Sequence, residues 1–292
     1  MKKILITGSN SYIGTSVENW LKQWPEQYKV DTIDMVNGSW RLRNFAEYDT
    51  VFHVAGIAHV DTSKVKEETQ ELYFKINRDL TIEVAAKAKN EGVMQFIFMS
   101  SIIIYGESSD IGGKKIITKD TVPNPSNFYG DSKLQAEKGI LPMQSNKFNV
   151  LILRPPMIYG KDSKGNYPRL SKLSRICPIF PNIENERSML YIDNLCEFVR
   201  LIIDNVEHGI FYPQNREYTK TSEMVRVIGL THGKKIYLIK WLNPFIKLFK
   251  NRIAIINKVF GNLVYDKDLS DYQNFKYCVA DFKESIFKTE LE

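Results

Sequence analysis

Lys3-Ile4-Leu5-Ile6-Thr7-Gly8-Ser9-Asn10-Ser11-Tyr12-Ile13-Gly14 decides how the chain is read. Lys3 to Thr7 is a short apolar run with β-branched residues, bounded by Gly8, and reads as a buried first strand. An amphipathic helix follows the loop Gly8 to Gly14 and runs to about Trp24, where Pro25 stops it. Strand, glycine loop and helix in that order build a dinucleotide site. Glycine permits the tight turn, and free N–H groups at the helix start receive a pyrophosphate. The spacing is Gly8-x-x-Ser11-x-x-Gly14, with serine where a middle glycine would sit. Serine is small, so the change is tolerable, but the motif is weaker than a complete one.

The next segments extend the pattern. Lys29 to Met35 reads as a second strand, with Asp34 near its end and twenty residues beyond Gly14. A carboxylate there accepts hydrogen bonds from ribose hydroxyls and repels a 2′-phosphate, which favours NAD over NADP. Arg41 and Arg43, a little further on, could reverse that preference. A solvated turn residue is the plainer reading of Asp34. Thr50 to Gly56 is another buried strand that ends in small residues, Val54-Ala55-Gly56. A helix from about Glu67 to Asn90 places Leu72, Ile76, Leu80, Val84 and Ala88 on one face, with Asn77 and Thr81 along it. Gln95 to Met99 forms the next strand and delivers Ser100 and Ser101 at its carboxyl end, where open α/β sheets bind ligands. Strands alternating with helices imply a mainly parallel, doubly wound sheet with right-handed crossovers.

A second stretch, Phe128-Tyr129-Gly130-Asp131-Ser132-Lys133, carries the chemistry. Pro123 and Pro125 resist helical geometry just before it, so a helix begins near Ser126 or Asn127. Tyr129 and Lys133 then share one helix face, one turn apart. A phenol with an ordinary pKa of about 10 needs a nearby cation to exchange protons near neutrality. A lone Tyr-x-x-x-Lys is a weak signal; its weight comes from the dinucleotide pattern around it. Asn149 to Leu153 is a further strand, followed by Arg154-Pro155-Pro156-Met157. Beyond it Lys161 to Arg187 loosens into Gly, Pro, Asn and basic residues, and Met189 to Ile192 and Asn194 to Asp204 read as a strand and a helix. We expect a dinucleotide-binding domain over 1–155 plus about 189–210, and a smaller substrate lobe over about 156–188 plus 211–292.

Bulk composition narrows the function classes. The 292 residues are 43% hydrophobic and 25% charged, an ordinary globular balance. No apolar run approaches the ~18 residues of a membrane span. The start, Met1 to Gly8, has too short an apolar run for a signal peptide, so a cytoplasmic protein is expected. Cys177, Cys196 and Cys278 form neither a disulfide framework nor a zinc motif, and His53, His59, His208 and His232 lack metal-ligand spacing. These histidines read as structural or surface residues, and no metal is expected. The net charge of +6 suits an anionic substrate, a nucleic acid or an anionic membrane alike. Dispersed basic residues argue against nucleic acid. Trp241 to Phe260 alternates apolar and basic residues: a lobe helix burying Leu242, Phe245, Leu248 and Phe249, or less favourably a membrane-surface helix.

Taken together, these residues resemble the extended short-chain dehydrogenase/reductases, the NAD-dependent sugar epimerase/dehydratase group. The matching features are Thr7-Gly8-x-x-Ser11-x-x-Gly14, Asp34, His53-Val54-Ala55-Gly56, Asn77 with Thr81, Ser100 to Gly106, Tyr129-x-x-x-Lys133, Arg154-Pro155, and Arg187 before Tyr191-Ile192-Asp193. The resemblance implies a Rossmann-like α/β fold with a smaller C-terminal α/β lobe. It makes Tyr129 the general acid/base, Lys133 the partner of the nicotinamide ribose, and Ser101 a donor to the reacting sugar oxygen. It places NAD(H) or NADP(H), leaning to NAD, against Gly8, Ser9, Asn10, Ser11, Tyr12, Ile13, Gly14, Asp34, Val54, Ala55, Gly56, Asn77, Ser100, Tyr129, Lys133 and Pro156. A UDP-linked sugar would meet Ser101, Ile102, Met157, Asn166, Leu170 and Arg187, with Arg187 clamping the diphosphate. Met157 departs from the family, which often has asparagine there, and this bears on the sugar or its pose. A closer similarity is to bacterial capsule and O-antigen enzymes that reduce UDP-4-keto-6-deoxy-N-acetylhexosamines, which implies a 4-ketoreductase. The alternatives are a UDP-sugar 4-epimerase that keeps its NAD and a non-catalytic dinucleotide-sensing protein. A homodimer is a family expectation.

Overall fold

The computed structural model describes residues 1–58, 67–244, 246 and 254–291. Two compact units divide the chain. The first comprises Met1–Gly106, Pro123–Pro155 and Leu195–Pro213, the second Glu107–Val122, Pro156–Asn194 and Gln214–Glu292.

The first unit is a doubly wound, Rossmann-like sheet. Its strands are β1 (Lys2–Thr7), β2 (Tyr28–Ile33), β3 (Thr50–His53), β4 (Gln95–Met99), β6 (Asn149–Leu153) and β10 (Gly209–Phe211); β5 (Ile116–Ile117) is a short strand of the second unit. All pair in parallel, in the order β10-β6-β4-β3-β1-β2. The chain leaves β1 for β2 on one side and returns to β3 on the other, so the topological switch lies between β1 and β3. Ligands of such sheets bind there, beyond the carboxyl ends of the strands.

Strand side chains alternate between the two faces. Leu5, Val51, Phe96, Phe98, Val150 and Ile152 pack with Val84, Ala85 and Ala88 of α3 (Leu80–Asn90) and Ala136 and Ile140 of α4 (Phe128–Ile140). Ile4, Ile6, Phe52, Ile97 and Leu151 fill the other face. Helices α1 (Tyr12–Leu21) and α6 (Ile192–Asp204) join where the Trp20 indole donates to Glu197 at 3.0 Å.

One expected face is corrected. The 67–90 segment is not one regular helix: α2 (Glu67–Tyr73) passes through a π-turn, Phe74–Asp79, into α3. The π-turn takes an extra residue per turn, which rotates the face of α2 relative to that of α3. Val84 and Ala88 are buried as expected, but Leu72 is 45% exposed. Ile76 and Leu80 are only half-buried, and Tyr73, Asn77 and Thr81 turn inward instead.

In the second unit β7 (Met157–Tyr159) pairs with β9 (Met189–Tyr191), β5 (Ile116–Ile117) with β12 (Val264–Tyr265), and β8 (Ile179–Pro181) with β11 (Tyr237–Ile239), all in parallel. Helices α5 (Tyr167–Ile176), α7 (Thr221–Thr231) and α10 (Phe282–Leu291) meet at Glu290. Its carboxylate receives Tyr167 at 2.9 Å, Ser171 at 2.8 Å, Arg175 at 2.7 Å and His232 at 2.7 Å. Helices α8 (Ala254–Phe260) and α9 (Lys267–Ser270) lie between α7 and α10 in sequence. The expected apolar positions Phe245, Leu248 and Phe249 lie outside the described residues, as does His59.

Candidate active site

The site grows from the switch point. Gly8 follows β1 with φ +88°, the left-handed region that favours glycine. A Cβ there would lie 3.0 Å from the Ala55 Cα and 3.1 Å from its nitrogen, so Gly8 lets the ends of β1 and β3 close together. Ser11, in the middle-glycine position, caps α1: its Oγ accepts the Gly14 N–H at 3.2 Å. The serine thus organises the helix start. Ser9, Asn10, Tyr12 and Ile13 complete a turn at which a helix N-terminus offers N–H groups to an anion. Asp34 is exposed just beyond β2, its carboxylate held by the Val36 N–H at 3.0 Å. Both nearby arginines are engaged elsewhere. Arg41 forks onto Glu83, and Arg43 contacts Asp31 at 3.3 Å and Tyr48.

Behind the loop runs a directed hydrogen-bond chain. His53 is fully buried between Phe96 and Phe98, with Thr7 Oγ1 2.7 Å from Nδ1 and Thr81 Oγ1 3.0 Å from Nε2. Thr81 spends its own proton on the Asn77 carbonyl at 2.8 Å, so it accepts from Nε2–H, and Nδ1 accepts from Thr7. Burial, with Lys133 adding to it, pushes the imidazole down to about 3. Asn77 sits in the π-turn, a feature frequent at functional sites. Its side chain exchanges bonds with the Ile57 backbone at 2.8 and 3.1 Å and donates to Ser132 Oγ at 3.1 Å. Ser132 in turn donates to the Tyr129 carbonyl at 2.8 Å.

Helix α4 begins where the prolines and Asn127 dictate, with Asn127 Oδ1 capping the Gly130 N–H at 2.9 Å. Lys133 is buried, its ammonium donating to the Met99 carbonyl at 2.9 Å and lying 4.7 Å from the Phe98 ring centroid. A Cβ on exposed Gly56 would sit 2.9 Å from Asn77 Oδ1 and 3.1 Å from Lys133 Nζ. Gly56, Asn77 and Lys133 therefore form one cradle that only a missing side chain keeps open. Burial pushes Lys133 down to about 8, against the pull of Glu137. The half-buried Tyr129 stacks edge-on against Tyr73 at 6.0 Å. Burial pushes its phenol up to about 12, opposed by a hydrogen bond from Ser101.

The two serines divide. Ser100 turns its hydroxyl to Glu137, whereas Ser101 caps the 3-10 turn Ile102–Tyr105 and reaches Tyr129. Ile102 is buried, its N–H donating to the Pro155 carbonyl at 2.9 Å. Ser101, Tyr129, Lys133, Asn77 and Gly56 thus lie in one neighbourhood of the first unit.

The remaining expected residues lie in the second unit. Pro156 is buried just before β7, and Met157 is half-buried opposite Met189. Asn166 precedes α5 without capping it, and Leu170 is buried one turn on. Arg187 donates to the carbonyls of Lys258 at 2.9 Å and Gly261 at 3.1 Å. No carboxylate pairs with it among the described residues, and burial lowers its pKa. The reading of the sequence assigned no role to Glu137 or Tyr105 and treated His53 as an ordinary histidine. Glu137 was findable as the next i+4 position after Lys133.

The chain is similar to known proteins. The chain is 30% identical to a UDP-glucose 4-epimerase of Vibrio cholerae, over 91% of this chain and 87% of that protein. It is 26% identical to an N-acetyl-α-D-glucosaminyl-diphospho-ditrans,octacis-undecaprenol 4-epimerase of Escherichia coli O157:H7, over 88% and 81%. Its fold matches a UDP-N-acetylglucosamine 4-epimerase of Bacillus cereus with a TM-score of 0.76 at 16% identity, over 100% and 99% of the chains. A dTDP-4-dehydrorhamnose reductase of Clostridium acetobutylicum matches with a TM-score of 0.74 at 20% identity, over 98% of both. The family model that spans residues 4–212 covers the glycine loop, the Asn77 turn, Ser101 and the Tyr129–Lys133 helix together, and the chain belongs to the NAD dependent epimerase/dehydratase family.

Proposed function

We propose that this protein performs nicotinamide-dependent chemistry at C4 of a UDP-linked sugar. Its specific reaction would be reduction of the C4 ketone of a UDP-4-keto-6-deoxy-N-acetylhexosamine, a precursor for surface polysaccharide. The observation that carries the reading is the cradle of Gly56, Asn77 and the buried Lys133 ammonium, with Tyr129 one helical turn before Lys133 on the same helix. Gly8, Ser11, Gly14 and Gly56 fit a dinucleotide, because the space their missing or small side chains leave is what a pyrophosphate and ribose need. Asp34 is exposed and both nearby arginines are already paired, which supports NAD. Asn77 and Lys133 would hold the nicotinamide ribose. When bound, the nicotinamide supplies the hydride that reduces C4.

The chain's own residues handle the proton. With its phenol held protonated, Tyr129 is in the form that donates to an oxygen gaining charge. The phenolate left behind is favoured by the Lys133 ammonium, and Ser101 donates to the same sugar oxygen. Arg187, half-buried and without a carboxylate partner among the described residues, suits a diphosphate; a guanidinium fork fits phosphate oxygens. Met157, Asn166 and Leu170 would line the nucleotide-sugar site.

A second reading, a UDP-sugar 4-epimerase, is favoured by the name of the Vibrio cholerae relative, and the Escherichia coli relative is also named a 4-epimerase, of a lipid-diphosphate-linked sugar. The test incubates the protein with a UDP-4-keto-6-deoxy-N-acetylhexosamine and either NADH or NADPH, and separately with UDP-glucose and UDP-N-acetylglucosamine. Stoichiometric loss of reduced-nicotinamide absorbance with the keto sugar, faster with NADH, is expected. Interconversion of the simple UDP-sugars with no net change in that absorbance would replace reductase by epimerase. Tyr129→Phe should lower turnover by about 10²-fold or more. Turnover within a few-fold of wild type would remove Tyr129 from the mechanism.

A further inference from the structure

Behind the Tyr129–Lys133 face lies an ion pair that the proposed chemistry does not use. Arg154, directly after β6, and Glu137, on α4, are both buried. Arg154 Nη2 meets Glu137 Oε2 at 2.6 Å, and Nε lies 3.2 Å from each carboxylate oxygen. Nη1 donates to the Tyr105 hydroxyl at 2.6 Å and to the Tyr212 hydroxyl at 3.2 Å. The other Glu137 oxygen accepts the Ser100 hydroxyl. The guanidinium lies 5.5 Å from the Tyr105 ring centroid and 5.6 Å from that of Tyr212.

Such a pair is a poor source of stability. Removing two charges from water costs several kcal/mol per ion, and apolar replacements of both partners are often neutral or stabilising. What the pair does have is a distinctive set of partners. Ser100 immediately precedes Ser101, and Tyr105 ends the 3-10 turn that Ser101 caps. The backbone beside Arg154 holds the same turn, since the Ile102 N–H donates to the Pro155 carbonyl at 2.9 Å. Glu137 stands one turn beyond Lys133 on α4. The contacts to Ser100 and Tyr105 therefore tie the Ser101 segment, before and after the serine, to Arg154 and to the helix that carries Tyr129 and Lys133.

We propose that Arg154 and Glu137 are positioning residues that hold the Ser101 segment against the Tyr129–Lys133 helix, so that the Ser101 hydroxyl is presented to the Tyr129 phenol. The proposal rests on the catalytic reading of Ser101 and Tyr129, but its geometric part is measurable without substrate. The probe is 3-fluorotyrosine at position 129, whose fluorine resonance responds to a hydrogen bond at the phenol oxygen. Ser101→Ala sets the shift that marks loss of that bond. The double variant Arg154→Met/Glu137→Leu keeps the buried volume apolar and should retain wild-type thermal stability. It should reproduce the Ser101→Ala shift, and adding Ser101→Ala to it should change nothing further. Ser100→Ala leaves the ion pair intact and cuts only its link to the Ser101 segment. This small change tolerates folding and should move the signal part of the way. On a confirmed sugar substrate the double variant should lose about 10²-fold in kcat, the scale of a 1 Å misplacement, with KM little changed. A wild-type fluorine signal in Ser100→Ala or in the folded double variant overturns the proposal. If Tyr129→Phe leaves turnover of every sugar intact, the catalytic reading falls, while the fluorine result still decides whether the pair positions Ser101.

Discussion

His53 should impose an acid limit on folding that its replacement removes. The imidazole is buried between two phenylalanine rings, accepts from Thr7 at 2.7 Å, and must donate to Thr81, whose own proton is committed to Asn77. A second proton at Nδ1 would face a hydroxyl already used as donor, in a site that also feels Lys133. The folded state therefore holds His53 neutral down to about 3, against an ordinary 6.5. Between those values the unfolded chain binds the proton and the folded chain does not, so stability falls as pH falls. Above the ordinary value neither state is protonated and there is no cost. Near pH 5 the cost is set almost wholly by the unfolded side: 1.5 pH units at about 1.4 kcal/mol each is about 2 kcal/mol. For a unit of this size that corresponds to about 4–8 °C of melting temperature. The assay compares thermal melting of wild type and His53→Gln at near-neutral pH and near pH 5. Groups common to both proteins cancel in the difference. The wild type should lose about 4–8 °C more than the variant on acidification. Parallel curves for the two proteins would refute the buried neutral histidine and the directed chain built on it.

Gly8→Ala should cost at least about 2 kcal/mol, from left-handed backbone and a Cβ forced against the Ala55 backbone, and should weaken NADH binding in a fluorescence titration by more than about tenfold. Ser11→Ala should cost about 1 kcal/mol in chemical denaturation through loss of the α1 cap, while Ser11→Gly, which completes the glycine pattern, should cost only a few tenths; equal losses would mean that the Gly14 N–H does not depend on Ser11. Arg187→Ala should raise KM for the UDP-sugar by about 10- to 100-fold with kcat little changed, measured by steady-state kinetics; an unchanged KM would remove Arg187 from the diphosphate site.

Much of the first unit was legible because its signals are local. A β-branched run, a glycine loop and an amphipathic helix are set by neighbours a few residues apart, and β1 and α1 formed where that pattern placed them. Pro123, Pro125 and Asn127 likewise specified the start of α4, and helical periodicity alone put Tyr129 and Lys133 one turn apart. The alternation of a strand end also anticipated that Ser100 and Ser101 would face different partners.

Where contacts join distant segments, the local pattern was silent. The apolar spacing of Leu72, Ile76, Leu80, Val84 and Ala88 implied one regular helix. The π-turn that buries Asn77 instead depends on partners at Ile57 and Ser132, which no periodicity in the helix can encode. His53 looked ordinary until Thr7 and Thr81 were brought to its two nitrogens from separate elements. Parallel pairing had the same character: β9 joins β7, and β10 rather than β9 extends the sheet beside β6. Sequence alone determined which residues can do proton chemistry and on which helix face they stand, because that follows from spacing along one element. Only the tertiary structure decided what surrounds them, the Arg154–Glu137 pair included, because desolvation and hydrogen-bond partners are properties of space that chain order does not carry.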